Sequence, residues 1–112
     1  MSILKFEKVP YEIVNGRLKR KLINSDKLMM VLADFSGGPW PDQDQLHHHP
    51  HEQITLVVDG EVIFYREGEE EQLMTSGDMV AIPPYQKHAI KLISKTARLI
   101  DTFTPVREDF LK

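Results

Sequence analysis

A chain of 112 residues, 41% hydrophobic and 28% charged with a net charge of −3, is sized for a single domain over residues 1–112 and lacks the basic excess of a polyanion binder. It has no cysteine, so disulfides and thiolate metal sites are excluded and any metal must take nitrogen and oxygen donors. The charged opening Lys5-Phe6-Glu7-Lys8 does not suit a signal peptide and no run reaches membrane-spanning length, which predicts a cytoplasmic protein with neither nucleic-acid nor membrane partners.

Up to Gly16 the signals are weak: Pro10 limits any helix and Asn15-Gly16 reads as a turn. Over residues 17–22 a period of two places Leu18, Arg20 and Leu22 on one face. An arginine on the buried side of a strand needs an anion. Arg20 either reaches solvent from an edge strand or meets a substrate carboxylate. Residues 28–35 form a nearly continuous apolar run bounded by Asn24-Ser25-Asp26 and Ser36-Gly37-Gly38-Pro39, which predicts a strand buried on both faces. The Gly- and Pro-rich stretch 37–46 is a loop, where Trp40 either lines a pocket mouth or pins the loop down.

Residues 53–58 read as a strand, and Asp59-Gly60 is a strong hairpin signal that makes 61–66 its partner. The acidic stretch 67–71 is a solvated turn. Leu73-Met74 and 79–82 flank another turn at Ser76-Gly77-Asp78, and 89–93 and 97–104 supply the last strands. Nine or ten short strands with regularly spaced turns predict an all-β sandwich or barrel. In the last strand Leu99, Asp101 and Phe103 share a face. Burial there would raise the pKa of Asp101, and a nearby metal or arginine would lower it. Asp101 is thus either an acid–base group or a partner of Arg107 that fixes the tail.

Four of the five histidines fall within residues 47–51, and the fifth, His88, follows Pro83-Pro84. Imidazole is the commonest protein ligand of transition metals. In extended chain His47 and His49 project to one side while His48 turns away. His51 has the same parity but follows Pro50, and suits the orientation of a ligand or substrate. If Gln53 points inward, so do Thr55 and Val57, leaving Ile54, Leu56 and Val58 on an outer face. Such an outer apolar face predicts a homodimer.

The histidine spacing resembles the cupin superfamily, whose motifs are G-x5-H-x-H-x3,4-E-x6-G and G-x5-P-x-G-x2-H-x3-N. His47, His49, Gln53 and Gly60 fit the first, with glutamine in the glutamate position, and Gly77, Pro83 and His88 fit the second. Pro41 stands in place of the leading glycine, and Tyr85 and Leu92 replace the later glycine and asparagine. The resemblance implies a double-stranded β-helix, or jelly-roll, barrel in which His47, His49, Gln53 and His88 bind one divalent ion. Nickel, iron, manganese, zinc and copper all accept such donors, and a neutral donor set leaves the ion's double charge intact, strengthening it as a Lewis acid.

The run 101–111, with 49–53 and 27–31, is similar to the small cupins of pectin and alginate degradation, which linearise 4,5-unsaturated uronates. That similarity implies a catalytic group of Asp101, Arg107 and Phe103 and a small anionic sugar as substrate; Arg20, Trp40 and His51 are candidate substrate-binding residues on the parity and loop position given above. The loop 38–45, with Asp42 and Asp44, departs from that pattern and borders the pocket. A metal-dependent dioxygenase and a non-catalytic sugar-binding cupin are the alternatives.

Overall fold

The computed structural model describes residues 3–111, so residues 1, 2 and 112 of the expected domain lie outside it. Nine strands follow in order: β1 (Glu12–Asn15), β2 (Leu18–Asn24), β3 (Met29–Phe35), β4 (Glu52–Asp59), β5 (Val62–Arg66), β6 (Gln72–Met74), β7 (Met79–Ile82), β8 (His88–Leu92) and β9 (Ala97–Thr104). They form a six-stranded sheet, β1-β2-β3-β9-β4-β7, and a three-stranded sheet, β6-β5-β8. Short 3-10 turns occupy Phe6–Lys8 and Glu108–Leu111. This is the expected all-β jelly roll, and among the described residues no helix is long and apolar enough to cross a membrane.

Strand parity decides what enters the space between the sheets. Val57 of β4, Val62 of β5 and Leu92 of β8 are fully buried there, with Phe64, Ile82 and Leu99 around them. A second, smaller cluster of Met29, Val31 and Phe103 is closed by Leu22, Val106 and Phe110. Across the large sheet the register aligns Val31 with Asp101 and Asp101 with Thr55, and likewise Met29 with Phe103 and Phe103 with Gln53. Directly opposed residues share a face. Asp101, Thr55, Phe103 and Gln53 therefore all face the interior.

Two expectations are corrected. First, Asp59-Gly60 does not join a paired hairpin: β4 bonds β9 and β7, whereas β5 bonds β6 and β8. Both edges of β4 are already taken, so the turn serves as a corner between sheets. Second, β3 alternates instead of being buried on both faces, with Met29, Val31 and Ala33 inside and Met30 exposed. Among the described residues no second sheet covers that outer side. The N-terminal segment covers part of it, where Tyr11 donates to Asp34 (2.6 Å), Arg98 grips the same carboxylate through Nε (2.7 Å) and Nη2 (3.0 Å), and Lys21, opposite Leu32, donates to the Phe6 carbonyl. Burial would raise the Asp34 pKa, but the hydrogen bonds from Arg98 and Tyr11 outweigh it and hold the carboxyl below its usual range.

The corner at Gly60 is tight. Its φ is +92°, and a Cβ there would meet the Thr96 carbonyl oxygen at 2.5 Å and Ala97 at 2.7 Å. Gly77 has a similar φ of +93° but open space around it. Gly77→Ala should cost only the left-handed backbone strain, about 1–2 kcal/mol. Gly60→Ala should cost a further ~1–3 kcal/mol from overpacking. Urea unfolding of the two variants would show this as a difference in midpoint, and equal midpoints would mean that the corner is not tight.

Candidate metal centre and catalytic cavity

Between the sheets lies a cavity of about 210 Å³ whose lining includes His47, His49, Gln53, His88, Asp101 and Arg107. The histidines reach it by main-chain geometry. His47 and His88 form an antiparallel bridge, each N–H donating to the other's carbonyl at 3.0 and 2.9 Å. The His49 carbonyl accepts from Tyr85 N–H at 2.7 Å. Tyr85 has a φ of 65°, so the position where the motif carries glycine does require a left-handed residue, and a tyrosine supplies it at some strain.

Ligating ring nitrogens of His47, His49 and His88 all lie within 4.8 Å of one another, close enough for one ion. Their protonation suits it as well. Burial, followed by the nearby charges of His88, Arg107, His51 and His47, lowers the His49 pKa to about 4. Burial also lowers the His88 pKa, against the opposing effect of the Gln86 carbonyl. At neutral pH both rings are neutral, as ligands must be. His88 Nδ1 lies 2.8 Å from the Gln86 carbonyl; a proton on Nδ1 satisfies that contact and leaves Nε2 with the free lone pair. His49 Nδ1 is buried without a partner among the described residues, an orphan that a metal contact on this ring would help explain. The residues present fit a divalent transition metal ion.

Gln53 sits on β4 beside this triad. Its Nε2 donates to Thr55 Oγ1 at 2.9 Å, and the Thr55 hydroxyl donates to Asp101 Oδ1 at 2.7 Å. With the amide nitrogen committed, Oε1 is the atom left for an ion. Burial pushes the Asp101 carboxyl up, opposed by the hydrogen bonds from Thr55 and Gln53 and by the proximity of His47 and Arg107. Asp101 is not the partner of Arg107, whose Nη2 pairs with Asp109 at 3.1 Å. Phe103, 3% exposed, forms an apolar wall.

The other expected residues fall as follows. His48 is exposed and turned toward Tyr85, with ring centroids 6.4 Å apart. His51 stands edge-on to His49 (5.2 Å) and Phe103 (5.7 Å), outside the cluster of ligating nitrogens. Of the two readings open for Trp40, the structure shows neither a pocket mouth nor a surface pin: it is 3% exposed within the core, its Nε1–H donating to the Ser36 carbonyl at 3.0 Å. Arg20 is not part of the cavity lining. Its anion is the protein's own Glu12, at 2.7 Å. Thr55 and Phe110 were not singled out, although both line the cavity, as does Asp44. The parity of Gln53 already put Thr55 inside, whereas a phenylalanine in a 3-10 turn carries no periodic signal.

A double sheet of this topology with three histidines at its mouth defines a class, and the cupin domain model matches residues 39–103. The chain belongs to the cupin family. Within it, the chain is 36% identical over 106 residues, 94% of each protein, to the pectin degradation protein KdgF of Dickeya dadantii (strain 3937). The structure of KdgF from Halomonas sp. superposes with a TM-score of 0.87 at 27% identity, covering 97% of this chain and 99% of that one. An RmlC-like cupin from Shewanella frigidimarina NCIMB 400 also gives 0.87, at 32% identity over 98% and 96% of the two chains.

Removing one buried ring should abolish stoichiometric metal. His49→Ala is expected to lose the ion while His48→Ala keeps it, as read by elemental analysis after dialysis, and a metal-replete His49→Ala protein would exclude His49 as a ligand.

Proposed function

We propose that the protein linearises 4,5-unsaturated uronate monosaccharides, opening the ring and converting the enol to the 5-keto form of a 4-deoxy-hexosulose uronate. The observation that carries this reading is the convergence, in one cavity, of three histidines, a buried hydrogen-bonded carboxyl and an arginine. Similarity to the two KdgF proteins supports placing this chemistry in pectin degradation.

The substrate is a cyclic hemiacetal whose ring oxygen sits on an enol carbon. Breaking the bond from C1 to that oxygen leaves an enolate, the anomeric hydroxyl loses its proton to give an aldehyde, and C4 gains a proton. No redox change occurs. A divalent ion held by His47, His49, His88 and Gln53 would supply Lewis-acid stabilisation of the negative charge developing on the enol oxygen. Asp101 moves the proton from the anomeric hydroxyl to C4, and a carboxyl raised by burial is suited to both halves of that transfer. Thr55 fixes its orientation by donating to Oδ1. Arg107 holds the substrate carboxylate by charge-assisted hydrogen bonds. Phe103 excludes water from one side of the sugar.

The reading also includes a second copy of the chain as partner. Met30, Ile54 and Met79 expose 45%, 56% and 71% of their surface on the outer face of the large sheet, and this strip runs to the free edge at β7. Sedimentation at micromolar concentration should read a dimer that Ile54→Arg dissociates; a monomeric wild-type chain would remove this part.

Asp101→Asn keeps the shape and the Thr55 contact but cannot carry a proton. It should retain metal and lose at least ~100-fold in turnover, the usual scale of general acid–base catalysis. The assay is loss of enol absorbance under nitrogen, with NMR of the product. Lyase-generated galacturonate and mannuronate products are both supplied. No acceleration by the metal-loaded wild type would end the linearisation reading, and unchanged turnover in Asp101→Asn would remove Asp101 from it.

A further inference from the structure

Arg107 has a demanding task and few polar contacts. Among the described residues its one ion pair joins Nη2 to Asp109, two residues along the chain and itself 62% exposed, and its Nε is buried with no partner. A single exposed contact does not fix a planar group with five donors. The guanidinium carbon instead lies 4.2 Å from the ring centroid of Phe110. Arg20 of β2 lies 3.9 Å from the same centroid, and its Nε too is buried and unpartnered. Both guanidinium groups thus lie against one ring.

The far end of this stack is anchored. Arg20 Nη2 bonds Glu12 on β1, and β1 pairs with β2 so that Glu12 and Arg20 stand directly opposite each other. The near end opens into the cavity, where Phe110 and Arg107 both form part of the wall. Phe110 also stands edge-on to Phe103 at 5.8 Å, which fixes the plane of the ring. The series Glu12, Arg20, Phe110, Arg107 thus runs from the sheet edge to the reaction space.

We propose that Phe110 is a positioning residue: packed against Arg20 and Arg107, it presents the Arg107 guanidinium to the substrate, and Arg20 serves the site only through this ring. The inference rests on the proposed function for its kinetic consequence, but its geometric consequence stands apart. A guanidinium over an aromatic face is attracted to the ring quadrupole and keeps its edge N–H groups free for an anion. Packing on the ring orders Arg107 without using the donors it needs for the sugar.

The test separates aromatic stacking from simple packing. Phe110→Leu keeps an apolar side chain but loses the π face, Phe110→Tyr keeps both, and Arg20→Met loses the second cation at the ring without altering the cavity wall. In zinc-loaded, ¹⁵N-labelled protein, the Arg107 Nε–H proton above the ring should resonate upfield of a free arginine. Phe110→Leu should move it back downfield and raise KM about tenfold at unchanged zinc content, Phe110→Tyr should restore both, and Arg20→Met should shift the resonance in the same direction as Phe110→Leu. An Arg107 resonance and a KM both unmoved by Phe110→Leu would overturn the proposal. A wild-type chain that leaves uronate unchanged would remove the functional reading instead. The resonance then decides alone, supporting the stack if Phe110→Leu and Arg20→Met move it and overturning it if they do not.

Discussion

The main-chain bridge between His47 and His88 is the constraint on which the rest of the site depends. Two backbone hydrogen bonds join the approach to β4, in the large sheet, to the first residue of β8, in the small one. They bring together histidines 41 positions apart in sequence (88 less 47) without asking anything of the side chains. The imidazoles then converge because both backbones are extended at the bridge. Its location at the junction of the sheets also makes it the rim of the cavity.

The Asp101 carboxyl is placed by a separate device, strand register. Thr55 opposes Asp101 and Gln53 opposes Phe103 across β4 and β9, so an amide, a hydroxyl and a carboxyl occupy neighbouring rows of one face. A slip of one residue would turn all of them outward. The wholly buried Val57, in the same strand, opposes such a slip, because its side chain would leave the core. Core packing and chemistry thus share one alignment.

How much of this was legible in the sequence follows from which features are local. Parity alone placed Gln53, Thr55 and Val57 inside and Ile54 outside, separated His48 from its neighbours, and put Asp101 on the face of Leu99 and Phe103. Motif spacing paired His88 with the distant cluster. Strand partnership was not legible, because Asp59-Gly60 dictates a reversal of the chain and not which strand lies beside the returning one; β9 and β7 had already filled the edges of β4. For Trp40 and Arg20 the sequence leaves two readings open, for a related reason. Loop residues have no period from which to read a direction, and the anion that satisfies Arg20 comes from Glu12, in a strand whose signals were too weak to predict. Tyr85 shows the converse: the motif's glycine is absent while the backbone shape it stands for persists.

The strand order has a consequence for how the molecule comes into being. β9 is the last of the nine strands in sequence, yet it lies between β3 and β4 in the middle of the large sheet. Until it emerges from the ribosome, the first three strands and the pair β4–β7 are separate fragments, each exposing an unpaired edge. Chains whose pairing waits on such distant contacts fold slowly and are exposed to aggregation in the interval. The strand that joins the two fragments also carries Asp101, so the sheet and the carboxyl in its cavity are completed in the same event.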